Sequence, residues 1–323
     1  MKPRKSDDAG GSPISESGEC RTKWRVALVT FANKLRWLFS HPTFSRHPIS
    51  VLLAVLKWEW IRKRGQSKIL QLSGDLRFKV RPFDGMGRML CYFGLEADQM
   101  FSFMNEYLKP GMVVVDVGAN IGTHSIYSAR LIGEGGKVVA IEAHPETVEI
   151  LRENINLNNV TNVGVLETCV SEQAGTVLFN VNRNSAKSSI VYTGASTISV
   201  SAQRIADLVP QELQIDFLKV DVEGADYFVL LGGRKIFEQR PPSVVVVEVS
   251  SYKEKICSFL TAYGYELFDY QAGRLVPRTC ADKILNVYAL HSSIKTELAI
   301  RGWLRSEAGT WLLRQPGERD RKC

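Results

Sequence analysis

The sequence predicts an α/β fold: a mostly parallel sheet with helices on both faces, closed by a C-terminal antiparallel hairpin and preceded by an N-terminal helical extension. Three observations carry this. Continuous apolar runs, "MVVVDV", "KVVAIEA", "DFLKVDV" and "SVVVVEV", read as strands buried on both faces, as parallel strands are. Helical spacing fills the segments between them, with short links, the pattern of crossover units. Two late strands, "YELFDY" and "ILNVYAL", follow one another without a helix and are expected to pair in opposite directions.

Residues 1–22 are polar, charged and rich in Ser and Gly, and are expected to form a disordered arm. They lack the apolar centre of a secretory leader. Residues 23–66 are a helical extension. Within it, "ISVLLAVLKWEWIRKR" falls short of the ~20 apolar residues that cross a bilayer. Val51, Leu52, Val55, Leu56, Trp58 and Ile61 suit a helix, with Arg62, Lys63 and Arg64 at its C-terminal end. Two readings stay open. The helices pack on the domain, or, helped by Trp24, Trp37, Trp58 and Trp60, they make peripheral contact with an anionic membrane surface.

The α/β domain spans 67–293. "GDLRFKVRP" alternates as a strand does, and "DGMG" reads as a turn. "LEADQMFSFMNEYLKPG" is helical until Pro110-Gly111 stops it. Strand and helix then alternate through "VGVLETCVS", an antiparallel excursion rich in Ser, Thr and Asn over 176–200, and "ADYFVLLGGRKIF". Residues 294–323 are a C-terminal tail.

The net charge of +7 is unevenly spread. Residues 1–70 hold 14 Lys/Arg against 5 Asp/Glu, and 298–323 hold 6 against 3, so the segment between is acidic. That excludes a wholly basic core, and no nucleic-acid partner is expected. Cys20, Cys91, Cys169, Cys257, Cys280 and Cys323 are dispersed, with no C-x-x-C pair, so structural zinc is not expected. They read as reduced thiols of a cytoplasmic protein, which could sit at the inner face of a membrane. The oligomeric state is not legible.

Ligands of such sheets bind at the carboxyl ends of the strands. "VVVDVGANIGTHS" ends a strand at Asp116 and turns through Gly118, Asn120 and Gly122 into a helix. Glu142 closes the next strand, where an acid can accept both hydroxyls of a ribose. The spacing is G-x-x-x-G, without the third glycine of a dinucleotide fingerprint. An uncompensated Asp116 would repel pyrophosphate and attract a cationic ligand. The set therefore favours S-adenosylmethionine, whose methionine part carries a sulfonium and an ammonium.

These stretches, together with "YFGLEADQM", "VVAIEAHPETVEILRENINLN", "CVSEQAG" and "DFLKVDVEGADYFVLLGG", resemble the FkbM family of S-adenosylmethionine-dependent methyltransferases, from about Tyr92 to Tyr270. The resemblance implies a class I, Rossmann-like, seven-stranded methyltransferase sheet. It also implies methyl transfer to a hydroxyl of a small molecule, saccharide, glycolipid or similar metabolite. Glu96 and Met100 would then cover the methionine end of the cofactor. Two departures are Asp226, where the family more often has Glu, and Ala143-His144, where a Pro-containing turn usually follows the acid.

Methyl transfer needs an aligned acceptor oxygen and a group that takes its proton. Asp221 and Glu223 at one strand end are the first candidates, and Glu248 at the next is the third. Asp221 doubles as a cofactor contact, and Val170 is placed beside the adenine. Mg²⁺ or Ca²⁺ on these carboxylates is the lesser reading, since no complete ligand set is visible. His124 and His144 flank the cofactor loops as weaker candidate bases. His124 is expected to be a loop contact or to face solvent. Cys169 is not expected to be a nucleophile. Asn182, Arg183, Asn184, Ser185 and Lys187 form a polar stretch near the acceptor's entry. Two other functions stay open: a non-catalytic membrane-associated module that keeps the nucleoside pocket, and an NAD-dependent enzyme.

Overall fold

The computed structural model describes residues 36, 38–181, 190, 196–249, 251–271, 273–279, 281–282, 285–300, 304–307 and 310–313. The expected arm, Trp24, Trp37 and the polar stretch from Asn182 to Lys187 lie outside the described residues. The chain divides into two units, Met1–Leu53 and Ala54–Cys323. In the first, a short helix α1 (Pro42–Arg46) begins at a proline, and His41 Nδ1 caps it by accepting from the Thr43 N–H at 3.3 Å. Helix α2 (Pro48–Arg64) runs on into the second unit, where Trp58 and Ile61 are buried with Leu70, Phe78 and Leu90.

The second unit opens with an antiparallel ribbon, β1 (Lys68–Gln71) and β2 (Arg77–Val80). The expected "DGMG" turn is instead the start of helix α3 (Gly85–Phe93). Asp84 is its N-cap, accepting from the Met86 N–H at 3.0 Å, and an acid cap outweighs the turn preference of the two glycines. Helix α4 (Gln99–Tyr107) is capped in the same way by Asp98.

The alternation follows as expected: β3 (Val113–Val117), α5 (Thr123–Ile132), β4 (Lys137–Glu142), α6 (Pro145–Leu157) and β5 (Val163–Glu167). The single strand expected in "VGVLETCVS" breaks at Thr168. Beyond it, β6 (Cys169–Val170) joins β7 (Gly175–Val181) and β8 (Ser196–Gln203) in a separate three-stranded sheet. That sheet is the expected excursion. Then come α7 (Ile205–Leu208), β9 (Phe217–Val220), α8 (Asp226–Gly232), α9 (Arg234–Gln239), β10 (Val244–Glu248) and α10 (Lys253–Ala262). The chain closes with β11 (Tyr265–Gln271), β12 (Arg274–Pro277), β13 (Asn286–His291), α11 (Ser292–Ile300), β14 (Leu304–Glu307) and β15 (Thr310–Leu313).

The main sheet runs β14-β15-β12-β11-β13-β10-β9-β3-β4-β5 among the described residues. Its core, β11-β13-β10-β9-β3-β4-β5, is the expected seven-stranded sheet. β13 runs antiparallel between β10 and β11, as the late hairpin predicts. The short β12 intervenes in sequence, turning at Gly273 (φ +82°) onto the outer edge of β11. Strands β15 and β14 extend that edge, within the segment read as a tail.

Successive valines of β10 feed opposite faces. Val245 and Val247 join one apolar cluster, and Val244 and Val246 the other. This two-sided burial is why the run carries no alternation. It leaves one place for polar side chains, the carboxyl ends of the parallel strands.

Candidate active site at the carboxyl ends of the strands

A cavity of about 290 Å³ opens there. The turn after β3 contributes Gly118 and Asn120, and the first turn of α5 His124. Glu142 closes β4, Val170 ends β6, Asp221 and Glu223 follow β9, and Glu248 closes β10. The structure thus brings together seven of the ten residues singled out as candidate site residues. Asp116, Gly122 and Glu96 are not part of the wall. Met100, a weaker suggestion, is buried in the core.

The turn is shaped by close approach. Gly118 has φ +80°, and a Cβ there would collide with the Asp221 carbonyl oxygen, so only glycine lets the ends of β3 and β9 meet. Asn120 takes φ +52° and donates its N–H to Glu142 Oε2 at 2.9 Å. Glu142 Oε1 accepts from the His144 N–H at 2.9 Å. Burial pushes the Glu142 carboxyl up, against the backbone N–H groups that hold it down. The acid therefore fixes the turn after β3 to the turn after β4 and still faces the cavity. Gly122, in turn, packs toward Leu151.

The expectation of an uncompensated Asp116 is overturned. Asp116 and Lys219 are register partners on β3 and β9. Both are buried, with Lys219 Nζ 3.1 Å from Asp116 Oδ1. Ser125 Oγ donates to Asp116 Oδ2 at 2.6 Å. Burial alone would raise the Asp116 carboxyl. Lys219, His124 and Ser125 more than offset it and hold the group below its usual range. Lys219 also reaches the Gly118 carbonyl at 3.2 Å and Asp221 Oδ2 at 3.3 Å. Asp116 is thus a brace behind the turn, and its charge does not repel a phosphate.

His124 does not face solvent. It is buried, stacks on Phe101 with ring centroids 4.7 Å apart, and bonds Asp98 Oδ2 at 3.1 Å through Nε2. His144 is buried at the start of α6, outside the cavity wall. Burial and then Arg81 push its imidazole down. Cys169 lines the cavity, yet burial and the nearby Glu142 push its thiol up to about 12, which makes it a poor nucleophile. Cys91, Cys169 and Cys257 are free thiols among the described residues.

Asp221, Glu223 and Glu248 each place a carboxylate oxygen within 4.8 Å of the others. Burial, then the charges of Asp221, Glu223 and Asp226, push Glu248 up to about 8. Its Oε2 is buried with no hydrogen-bond partner among the described residues. Glu223 has φ +52°, a conformation the turn must impose. Asp226 imposes it: Oδ1 accepts from the Val222 N–H at 3.0 Å and Oδ2 from the Gly224 N–H at 3.1 Å. The shorter acid is therefore a brace for the "DVEG" turn. Burial pushes Asp226 up to about 6.

Sequence reasoning missed Lys219 as the buried cation, and missed one wall. Gly85, Met86, Arg88 and Met89 of α3 line the cavity, as do Thr168 and Phe179. The Asp84 cap ahead of an apolar helix was the available signal for that wall. Lys219 carries no local signal, since a lysine amid apolar strand residues reads as one that reaches solvent.

A parallel sheet whose β-α turns converge on a glycine loop, an acid and a carboxylate trio defines a class I methyltransferase-like α/β domain. The methyltransferase FkbM domain model matches residues 116–267, and the resemblance read from the sequence is borne out. The chain is similar to methyltransferase sdnD of Sordaria araneosa, 27% identical over 213 residues, covering 54% of this chain and 81% of that protein. It is also similar to a protein-L-isoaspartate O-methyltransferase of Methanococcoides burtonii, 34% identical over 74 residues, covering 22% of this chain and 36% of that one. Among solved structures, a methyltransferase FkbM from Methylobacillus flagellatus aligns at 15% identity and a TM-score of 0.37, covering 74% of this chain and 59% of that chain. The family implies S-adenosylmethionine as cofactor.

Proposed function

We propose that the protein is an S-adenosylmethionine-dependent O-methyltransferase whose acceptor is a hydroxyl of a saccharide, glycolipid or secondary metabolite. One observation carries the reading: a single cavity joins the Glu142–Asn120 turn to a carboxylate trio in which Glu248 is pushed up to about 8. The residues fit the cofactor. Glu142 Oε2 accepts the Asn120 N–H and Oε1 the His144 N–H, and the carboxylate faces the cavity, where a ribose hydroxyl can reach it. Ile141, Val170 and Phe179 give an apolar surface for a base. Asp221 and Glu223 give the cavity acidic groups for a cationic methionine end.

When bound, S-adenosylmethionine supplies an electrophilic methyl group; the chain supplies orientation and proton transfer. Lys219 Nζ, 3.3 Å from Asp221 Oδ2, positions that side chain. Glu248 is the best proton acceptor of the three, because its proton affinity sits close to working pH. Asp221 and Glu223 keep it there by charge repulsion. The acceptor hydroxyl hands its proton to this cluster as the oxygen takes the methyl group.

The test is calorimetry with S-adenosylmethionine, S-adenosylhomocysteine and NAD, followed by transfer of a labelled methyl group to saccharide and glycolipid acceptors. Selective binding of the first two, weakened in Glu142→Ala, is the expected result. NAD binding alone would replace the proposal with the dinucleotide reading, and binding without transfer to any acceptor would favour a non-catalytic module.

A further inference from the structure

Helix α2 has two apolar faces, and only one is used. Trp58 and Ile61 are buried against Leu70, Phe78 and Leu90. On the opposite side, Leu56 is 67% and Trp60 47% exposed. A helix that only packed on its domain would carry polar residues there.

The charges around the exposed face are mostly basic. Lys57, Lys63 and Arg64 are exposed on the helix. Arg64 lies over the Trp60 ring at 4.8 Å from its centroid, and Lys68 of β1 at 5.3 Å. The acid on the flank, Glu59, is taken by Arg62 at 2.9 Å. An indole with two cations over its ring, beside the exposed Leu56, is the composition of an element that lies in a lipid headgroup layer. No helix among the described residues is long and apolar enough to cross a membrane.

We propose that the outer face of α2, centred on Leu56 and Trp60, docks the protein on an anionic lipid surface. Leu56 and the indole enter the headgroup–acyl boundary, and Lys57, Lys63, Arg64 and Lys68 meet the lipid phosphates. Cys91 of α3 contacts the Ala54 carbonyl of α2 at 3.6 Å. Docking would therefore bring the α3 wall of the cavity to one helix layer from the lipid. The proposal does not rest on the methyl-transfer reading, because binding to vesicles is read without turnover.

The experiment is flotation of the full chain with vesicles of phosphatidylcholine alone and of phosphatidylcholine with about one-third phosphatidylserine. The expected result is binding to the second only, released when salt rises from about 0.1 to 0.5 M. Leu56→Glu with Trp60→Glu should weaken binding at least tenfold, with an unchanged melting curve and unchanged S-adenosylmethionine calorimetry. Lys63→Gln, Arg64→Gln and Lys68→Gln should each cost about fivefold. No binding to the anionic vesicles overturns the proposal. So does wild-type-like binding by the Leu56/Trp60 variant, which would assign the affinity to other basic residues. A dimer that the same variant converts to monomer would make the face a contact between copies and overturn it too.

Discussion

Two groups of acids stand at the carboxyl rim of the sheet and behave in opposite ways. Asp116 is buried, yet Lys219 and Ser125 hold it as a carboxylate below its usual range. Glu248 is crowded by Asp221, Glu223 and Asp226, with Lys219 reaching Asp221 but not Glu248, and it is pushed up to about 8. The difference is compensation. A buried carboxylate with a cation beside it is fixed scaffold; one pressed against its own kind keeps a proton that it can exchange near neutral pH.

The largest effect should come from breaking the compensated pair. Lys219→Met leaves Asp116 buried without its cation and should cost about 3–5 kcal/mol in urea unfolding. Adding Asp116→Asn should recover part of that loss. A single-variant cost below about 1 kcal/mol would show that the pair is not what holds the rim.

The crowded cluster should answer through rate. Glu248→Gln is expected to lower kcat by about 10²–10³ while leaving S-adenosylmethionine affinity nearly unchanged. The wild-type rate should rise with pH and level off above about 8, and that limb should vanish in the variant. Equal loss of affinity and rate would make Glu248 a binding residue instead.

Stability should move the other way. Folded Glu248 keeps its proton to about pH 8, whereas unfolded it releases it near the ordinary 4.5. Between those values the folded state binds more protons, so stability falls as pH rises. Glu248→Gln removes that slope. Its melting temperature should overtake the wild type by about 2–4 °C as pH climbs toward 8. Parallel wild-type and variant curves across that window would contradict the crowding.

Chelation separates proton transfer from metal binding at the same cluster. Three carboxylate oxygens within 4.8 Å could hold a cation with added waters. EDTA should nevertheless leave the rate within about twofold if the cluster must stay free to take protons. Loss of activity restored by Mg²⁺ would turn the trio into a metal site. The smallest effect belongs to Cys169→Ala, expected to leave kcat within about twofold because the thiol is pushed up to about 12.

The local sequence determined the strands, the turn after β3 and the acids at the strand ends. An unbroken run such as "VVVDVG" can only be a two-sided strand, and the residues that end it must reach the rim. Asp221, Glu223 and Glu248 were legible for that reason. What the tertiary structure decided was which charges meet. Asp116 and Lys219 lie far apart in sequence, and only the pairing of β3 with β9 makes them neighbours. That pairing turns a carboxylate read as a ligand for a cation into a brace. The Asp84 cap likewise turned a glycine-rich turn into a helix and a cavity wall. Spacing along the chain dictates the type of each element, but the charge state of a buried group depends on neighbours that the chain supplies from elsewhere.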